Sequence, residues 1–191
     1  MLARMQSACR EILAEVAGLL EQVRDDEVEH IYSQIVAAPR VFGFATGRSG
    51  FVLRGFIMRL NHLGQTAYYV GEASTPPIGP GDLLLVMSGS GSTATSLGAA
   101  MEAAKLGSAV AALVGSRLSP LGQLASALVE LPAPHKRGVI GDQGAHHTRQ
   151  TAGSLFEQAC FVLLESMILR RFKELGQDPR AALTRHANLE A

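Results

Sequence analysis

The chain has 191 residues, enough for one domain with an appended element, and 47% of them are hydrophobic against 18% charged. Seventeen basic residues balance seventeen acidic ones, aromatic residues make up 5%, and Trp is absent. This composition supplies a large core, implies no general attraction to nucleic acid or to an anionic membrane, and leaves no stacking platform for single strands.

Leu2, Met5, Cys9, Ile12, Val16, Leu19 and Val23 recur every three or four residues, which predicts a first helix with one apolar stripe. The amphipathic start is unlike a signal peptide, and no apolar run approaches the length of a membrane span. The expectation is a cytoplasmic protein. Asp25-Asp26-Glu27 opens a second helix whose Val28, Ile31, Ile35 and Val36 face inward, and Pro39 ends it. Residues 1–38 thus form a helical pair ahead of a sheet core at 40–132. Cys9 and Cys160 both fall in apolar helical patterns and are expected as buried free thiols.

Val41-Phe42-Gly43-Phe44-Ala45 reads as a buried strand leading into Thr46-Gly47-Arg48-Ser49-Gly50, with a helix expected at about 51–62 and Gly64 as its stop. A strand follows at 66–70, then an irregular segment at 73–81 rich in Pro and Gly. The next apolar run, 82–87, empties into Ser88-Gly89-Ser90-Gly91-Ser92-Thr93, and a helix begins near Ala94 and ends before Gly107. Glycines allow close backbone approach, small hydroxyls donate without bulk, and a helix N-terminus presents free N–H groups and a positive dipole end. The 88–93 loop is therefore suited to a phosphate. Ordinary loop and N-cap chemistry uses the same residues. It is neither a Walker loop, since no Lys follows Gly91, nor a dinucleotide fingerprint, since the third Gly is missing.

Strands at 109–114 and 127–131 flank a short helix at about 118–125. Strands alternating with helices imply a parallel sheet with right-handed crossovers, an α/β fold whose ligands sit at the carboxyl ends of the strands. Both Gly/Ser loops, 47–50 and 88–93, fall at such ends. Residues 132–151 read as a mobile polar loop holding His135, Lys136, Arg137, His146, His147 and Arg149. The adjacent histidines lack the accompanying ligands of a metal site, and none is assigned.

A long helix is expected from Gly153 to about Leu175, and 153–191 forms a C-terminal helix and tail. Apolar residues cover nearly its whole circumference, so burial on several sides is expected, with a second subunit as the cover; this argues for a homo-oligomer. Glu157 stands out near its start. Either it decorates the first turn, in or near a capping box headed by Thr151 or Ser154, or it is a general base whose apolar surroundings raise its proton affinity.

Gly47-Arg48-Ser49-Gly50, Ser88-Gly89-Ser90-Gly91-Ser92-Thr93, Gly153-Ser154-Leu155-Phe156-Glu157-Gln158 and His186-Ala187-Asn188-Leu189-Glu190 together resemble the SIS (sugar isomerase) domain, and within it the 6-phospho-3-hexuloisomerases. The resemblance covers nearly the whole chain and implies a flavodoxin-like three-layer sandwich with an open parallel sheet and N-terminal helices, usually assembled as a tetramer. It implies interconversion of D-arabino-3-hexulose 6-phosphate and D-fructose 6-phosphate through an enediol, in the ribulose monophosphate route of formaldehyde fixation, without cofactor or metal.

By motif, Ser49, Ser88, Ser90 and Thr93 would hold the sugar phosphate, supported by Gly47, Gly89, Gly91 and Ser92, and Glu157 would match the family's base. Arg48 is either an enediolate contact or a surface residue. His186 is either a solvated residue near the chain end or an aid to ring opening, as a C-terminal His is in related isomerases. The pattern departs from the family at Gln150-Thr151-Ala152, where Gln-Pro-Met is common. An isomerase of a pentose or heptose phosphate, and a non-catalytic phosphosugar-binding protein, are the alternatives.

Overall fold

A computed structural model describes residues 5–134 and 148–176. Two helices, α1 (Met5–Leu20) and α2 (Asp25–Ala37), precede strand β1 (Val41–Phe44). Then follow α3 (Gly47–His62), β2 (Ala67–Tyr69), β3 (Leu83–Ser88), α4 (Ala94–Lys105), β4 (Ala109–Val114), α5 (Pro120–Leu124), β5 (Ala127–Glu130) and α6 (Ser154–Glu174). All five strands are parallel, in the order β2-β1-β3-β4-β5. This is the expected α/β architecture: an open parallel sheet between two layers of helices.

The period-two geometry of a strand divides its side chains between the layers. On one face Leu83, Leu85 and Met87 of β3 join Leu113 and Val129 under α1, α2, α3 and α6, where Leu19, Ile31, Leu53 and Leu164 are also buried. On the other, Leu84 and Val86 meet Ala100 and Ala103 of α4 and Leu121 of α5. Burial of a side chain such as Leu85 stabilises by about 2 kcal/mol. At the amino end of the sheet, Arg40 grips the buried Asp82 with Nε at 2.8 Å and Nη2 at 2.6 Å, and the N–H of Gly79 donates to the same carboxylate at 2.8 Å. Burial pushes the Asp82 carboxyl up, but the hydrogen bonds from Arg40 and Gly79 hold it below its ordinary value.

Helix α3 starts at Gly47 rather than near Phe51. Its first turn is Gly47-Arg48-Ser49-Gly50, which has no apolar periodicity because its polar side chains do not serve the core. Cys160 is buried as expected, whereas Cys9 is exposed. Only Val16 and Leu19 of α1 are buried among the described residues; its earlier turns are at most partly covered, and Met5 and Leu13 are exposed. Helix α6 likewise leaves Phe161, Val162 and Leu169 uncovered, beside exposed Leu13 and Phe51 in the case of Phe161 and Val162. Among the described residues no helix is long and apolar enough to cross a membrane.

Candidate active site

Strands β1 and β3 are hydrogen-bonded neighbours, but the chain leaves them toward opposite layers. After β1 it enters α3, whose Leu53 and Phe56 pack in the layer with α6; after β3 it enters α4, whose Ala100 and Ala103 pack in the other. The divergence opens a crevice at the carboxyl ends of the strands, where ligands bind in open α/β sheets. The amino end of α6 lies across it. The resulting cleft measures about 350 Å³ and is lined by Thr46, Gly47, Arg48, Ser49, Met87, Ser88, Gly89, Ser90, Thr93, Thr151, Ala152, Gly153, Phe156 and Glu157.

Eight residues singled out from the sequence, Gly47, Arg48, Ser49, Ser88, Gly89, Ser90, Thr93 and Glu157, therefore meet on one wall system. Gly91 and Ser92 are not among the lining residues. Gly91 has φ 57°, and a Cβ there would come within 2.0 Å of Ser119 Oγ, so only glycine carries the chain round the loop at this point. The Ser92 N–H reaches Ser90 Oγ at 3.3 Å. His186 lies outside the described residues, as do residues 135–147 with their histidines.

The hydroxyls of Ser88, Ser90 and Thr93 form a cluster, with Thr93 Oγ1 3.5 Å from Ser88 Oγ and 3.4 Å from Ser90 Oγ. Separations this long make weak mutual hydrogen bonds and leave the hydroxyls available to an anion. The backbone adds to them. Helices α3, α4 and α6 begin at N-caps Thr46, Thr93 and Gly153, all on the cleft, and none of them caps its helix with a side-chain hydrogen bond. By contrast α5, away from the cleft, is capped by Ser119 Oγ, which accepts from the Gly122 N–H. Three helix N-termini without a side-chain cap thus face one space, an anion-attracting arrangement.

The carboxylate enters from α6. Gly153 is the N-cap, in the left-handed region at φ 91°, so Glu157 lies one position beyond the third helical residue that a capping box requires. Neither Thr151 nor Ser154 caps the helix, and the capping-box reading is corrected. Instead Glu157 Oε2 lies 2.9 Å from Arg48 Nε, and Arg48 Nη1 donates to Ser154 Oγ at 2.9 Å. The Glu157 side chain is 13% exposed and that of Arg48 58% exposed. Next to Glu157, Phe156 packs beneath Gly89, where an added Cβ would stand 3.2 Å from the ring. One turn along, burial and then the Glu157 charge push the Cys160 thiol well above its ordinary value, which makes it an inert core group.

Thr46, Met87, Thr151, Ala152, Gly153 and Phe156 are wall residues that sequence reasoning did not assign. Thr46 and Met87 adjoin the two motifs and follow from them by chain continuity. The 151–153 stretch sits between an irregular segment and α6 and has no periodic signal. Among the described residues no group of three or more His, Cys, Asp or Glu is placed to hold a metal.

Residues 34–160 match the SIS domain family model. A 3-hexulose-6-phosphate isomerase of Mycobacterium gastri is 44% identical over 92% of this chain and 86% of its own. One from Bacillus subtilis is 36% identical over 94% and 96%. A solved Methanococcus jannaschii protein, for which a 3-hexulose-6-phosphate isomerase function was inferred, superposes with TM-score 0.81 at 27% identity, covering 96% of this chain and 99% of that one. The doubly wound sheet, the hydroxyl-lined loop at its switch point and these full-length relatives agree: the chain belongs to the SIS domain family.

Proposed function

We propose that this protein is a 3-hexulose-6-phosphate isomerase, converting D-arabino-3-hexulose 6-phosphate into D-fructose 6-phosphate and back. One observation carries the reading: a carboxylate, Glu157, and a cluster of hydroxyls at a helix N-terminus share one cleft, with a guanidinium beside the carboxylate. The names of the Mycobacterium gastri and Bacillus subtilis relatives support the substrate.

The chemistry follows from those groups. The 88–93 loop and the α4 N-terminus hold the phosphate, which fixes the sugar chain relative to Glu157. Glu157 removes the proton from C2, and the electron pair forms the 2,3-enediolate as negative charge moves onto O3. Returning a proton to C3, with the oxygen protons redistributed, leaves the carbonyl at C2. One carboxylate serves both steps. Arg48, within hydrogen-bond reach of Glu157, orients it and offers positive charge to the enediolate.

The proposal extends to the setting. The reaction would be a cytoplasmic step of the ribulose monophosphate route, and the exposed apolar strip of Leu13, Phe51, Phe161 and Val162 would be covered in a homo-oligomer, a tetramer by family likeness. A ring-opening role for His186 belongs to the same reading. The test is direct: purified protein is given 3-hexulose 6-phosphate and fructose 6-phosphate is followed, with Glu157→Gln as comparison. Turnover in the parent and its loss in the variant support the proposal. Phosphosugar binding without turnover in the parent would replace it with a non-catalytic binding protein.

A further inference from the structure

Helix α1 has no residue on the cleft wall, yet one of its side chains holds the segment that becomes part of that wall. Glu15 Oε2 accepts from Thr148 Oγ1 at 2.6 Å and from Gln150 Nε2 at 2.9 Å, while Oε1 accepts from the Arg149 N–H at 3.0 Å. The same threonine hydroxyl accepts from the Gln150 N–H at 3.1 Å, which closes the segment on itself. Three consecutive residues converge on one carboxylate more than 130 positions earlier in the chain. Hydrogen bonds to an ionised acceptor are about twice as strong as neutral ones. The nearby Arg149–Glu11 pair is by contrast exposed, 3.3 Å long and of little energetic weight.

The clamp is one residue away from the site. Thr151, Ala152 and Gly153 follow at once and line the cleft. Thr151 O accepts from the Ser154 N–H at 2.9 Å, and Gly153 O accepts from the Glu157 N–H at 3.1 Å. A short turn with a left-handed glycine thus joins the clamped segment to the helix that carries the carboxylate. The body of α6 is anchored separately, by buried Leu155, Phe156 and Ala159.

We propose that Glu15 is a positioning residue of the cleft: its carboxylate fixes residues 148–150 and through them sets the Thr151-Ala152-Gly153 wall and the entry into α6. The proposal rests on the isomerase reading for its kinetic consequence, but the clamp itself is a property of the fold. Because the phosphate loop belongs to β3 and α4, loss of the clamp acts on the reacting end of the sugar rather than on phosphate capture.

The experiment compares the parent with Glu15→Ala and Glu15→Gln in two measurements. The first is isomerase kinetics together with binding of inorganic phosphate. For Glu15→Ala we expect kcat to fall about 10–100-fold, as wall misplacement of an ångström can cause, with phosphate affinity unchanged. Glu15→Gln, which keeps an acceptor for the Arg149 N–H, should recover part of that loss. The second is amide hydrogen exchange, which needs no substrate: the Arg149 amide and those at 152–154 should exchange faster in Glu15→Ala, with the β3 and β4 amides unchanged. An unchanged kcat in a turning-over protein overturns the proposal. So does a parallel loss of kcat, phosphate affinity and global amide protection, which marks a merely structural contact. If the parent does not isomerise, the functional reading fails, and the exchange result then decides the clamp by itself.

Discussion

Arg48 bridges the first turns of two helices: its Nε lies 2.9 Å from Glu157 Oε2, and its Nη1 donates to Ser154 Oγ at the same distance. Two different nitrogens of one planar group are used in two directions, which a lysine ammonium on its flexible stem cannot reproduce. We predict that Arg48→Lys lowers kcat about 10–100-fold, on the scale of removing one transition-state donor. The change in KM should be smaller. Steady-state kinetics check this, and a kcat equal to the parent's would reduce Arg48 to a surface residue.

Ser90 tests the phosphate grip. Its hydroxyl belongs to the cluster with Thr93 and accepts from the Ser92 N–H. Ser90→Ala should weaken fructose 6-phosphate binding by about 1–3 kcal/mol, the range for a hydrogen bond to a charged group. Calorimetric titration measures the loss, and kcat at saturation should change less than affinity. Equal affinity in parent and variant would remove Ser90 from the grip.

Gly91 is predicted to be intolerant of any side chain. A methyl group must accept a left-handed backbone and also displace Ser119, whose Oγ lies 2.0 Å from the position of the added Cβ. Gly91→Ala should cost about 2–3 kcal/mol in stability through strain and overpacking. Thermal unfolding reads this as a lower Tm. A second effect, weaker phosphate binding, follows if the loop shifts toward the cleft.

Arg40 and Asp82 give a prediction about folding alone. Asp82 is 2% exposed, and without its guanidinium partner it would be a buried charge with the Gly79 N–H still donating to it. Arg40→Met should destabilise the fold, by less than the loss of a fully buried pair would because the Arg40 side chain is 36% exposed. Denaturant unfolding measures it. Turnover at saturating substrate should be unchanged, because the pair lies at the amino end of the sheet and the cleft at the other.

Acid should release the Glu15 clamp. The Arg149 N–H first, then the Thr148 hydroxyl and the Gln150 amide, hold the Glu15 carboxyl below its ordinary value. A carboxyl with a lowered folded pKa contributes stability that is fully present above its unfolded pKa and is lost as pH falls through the folded one. Protection of the Arg149 amide should therefore be constant from neutral pH down to the ordinary glutamate range and fall away only at pH below that range. Glu15→Gln should remove that pH dependence.

Much of this organisation was legible because it is local. The apolar runs at β1, β3 and β4, the stop glycines at 64 and 107, and the Gly/Ser loops at strand ends are written in adjacent residues, and strand–helix alternation turns them into a parallel sheet. The first turn of α3 escaped because Arg48 and Ser49 face the site and give no apolar period. The α1 stripe is legible as a period, but a period does not show how far along the helix its cover extends: only Val16 and Leu19 are fully buried among the described residues, and Cys9, expected as a buried thiol, is exposed. The Glu15 clamp was illegible for a different reason: tertiary contact across more than 130 residues leaves no mark in a window of neighbours. Glu157 was legible as an oddity, but its pairing with Arg48 depended on where two helices begin.

In the proposed site the 88–93 loop would meet the phosphate with peptide N–H groups and alcohols, none of which titrates in the biological range. The pH profile of this grip is therefore set by the ligand, whose phosphate passes from monoanion to dianion near pH 6. The loop presents the same donors to both species, so affinity should follow the second ionisation of the sugar phosphate and level off above it. A lysine-based cradle would add its own decline at alkaline pH, where the ammonium deprotonates. This loop has none to lose.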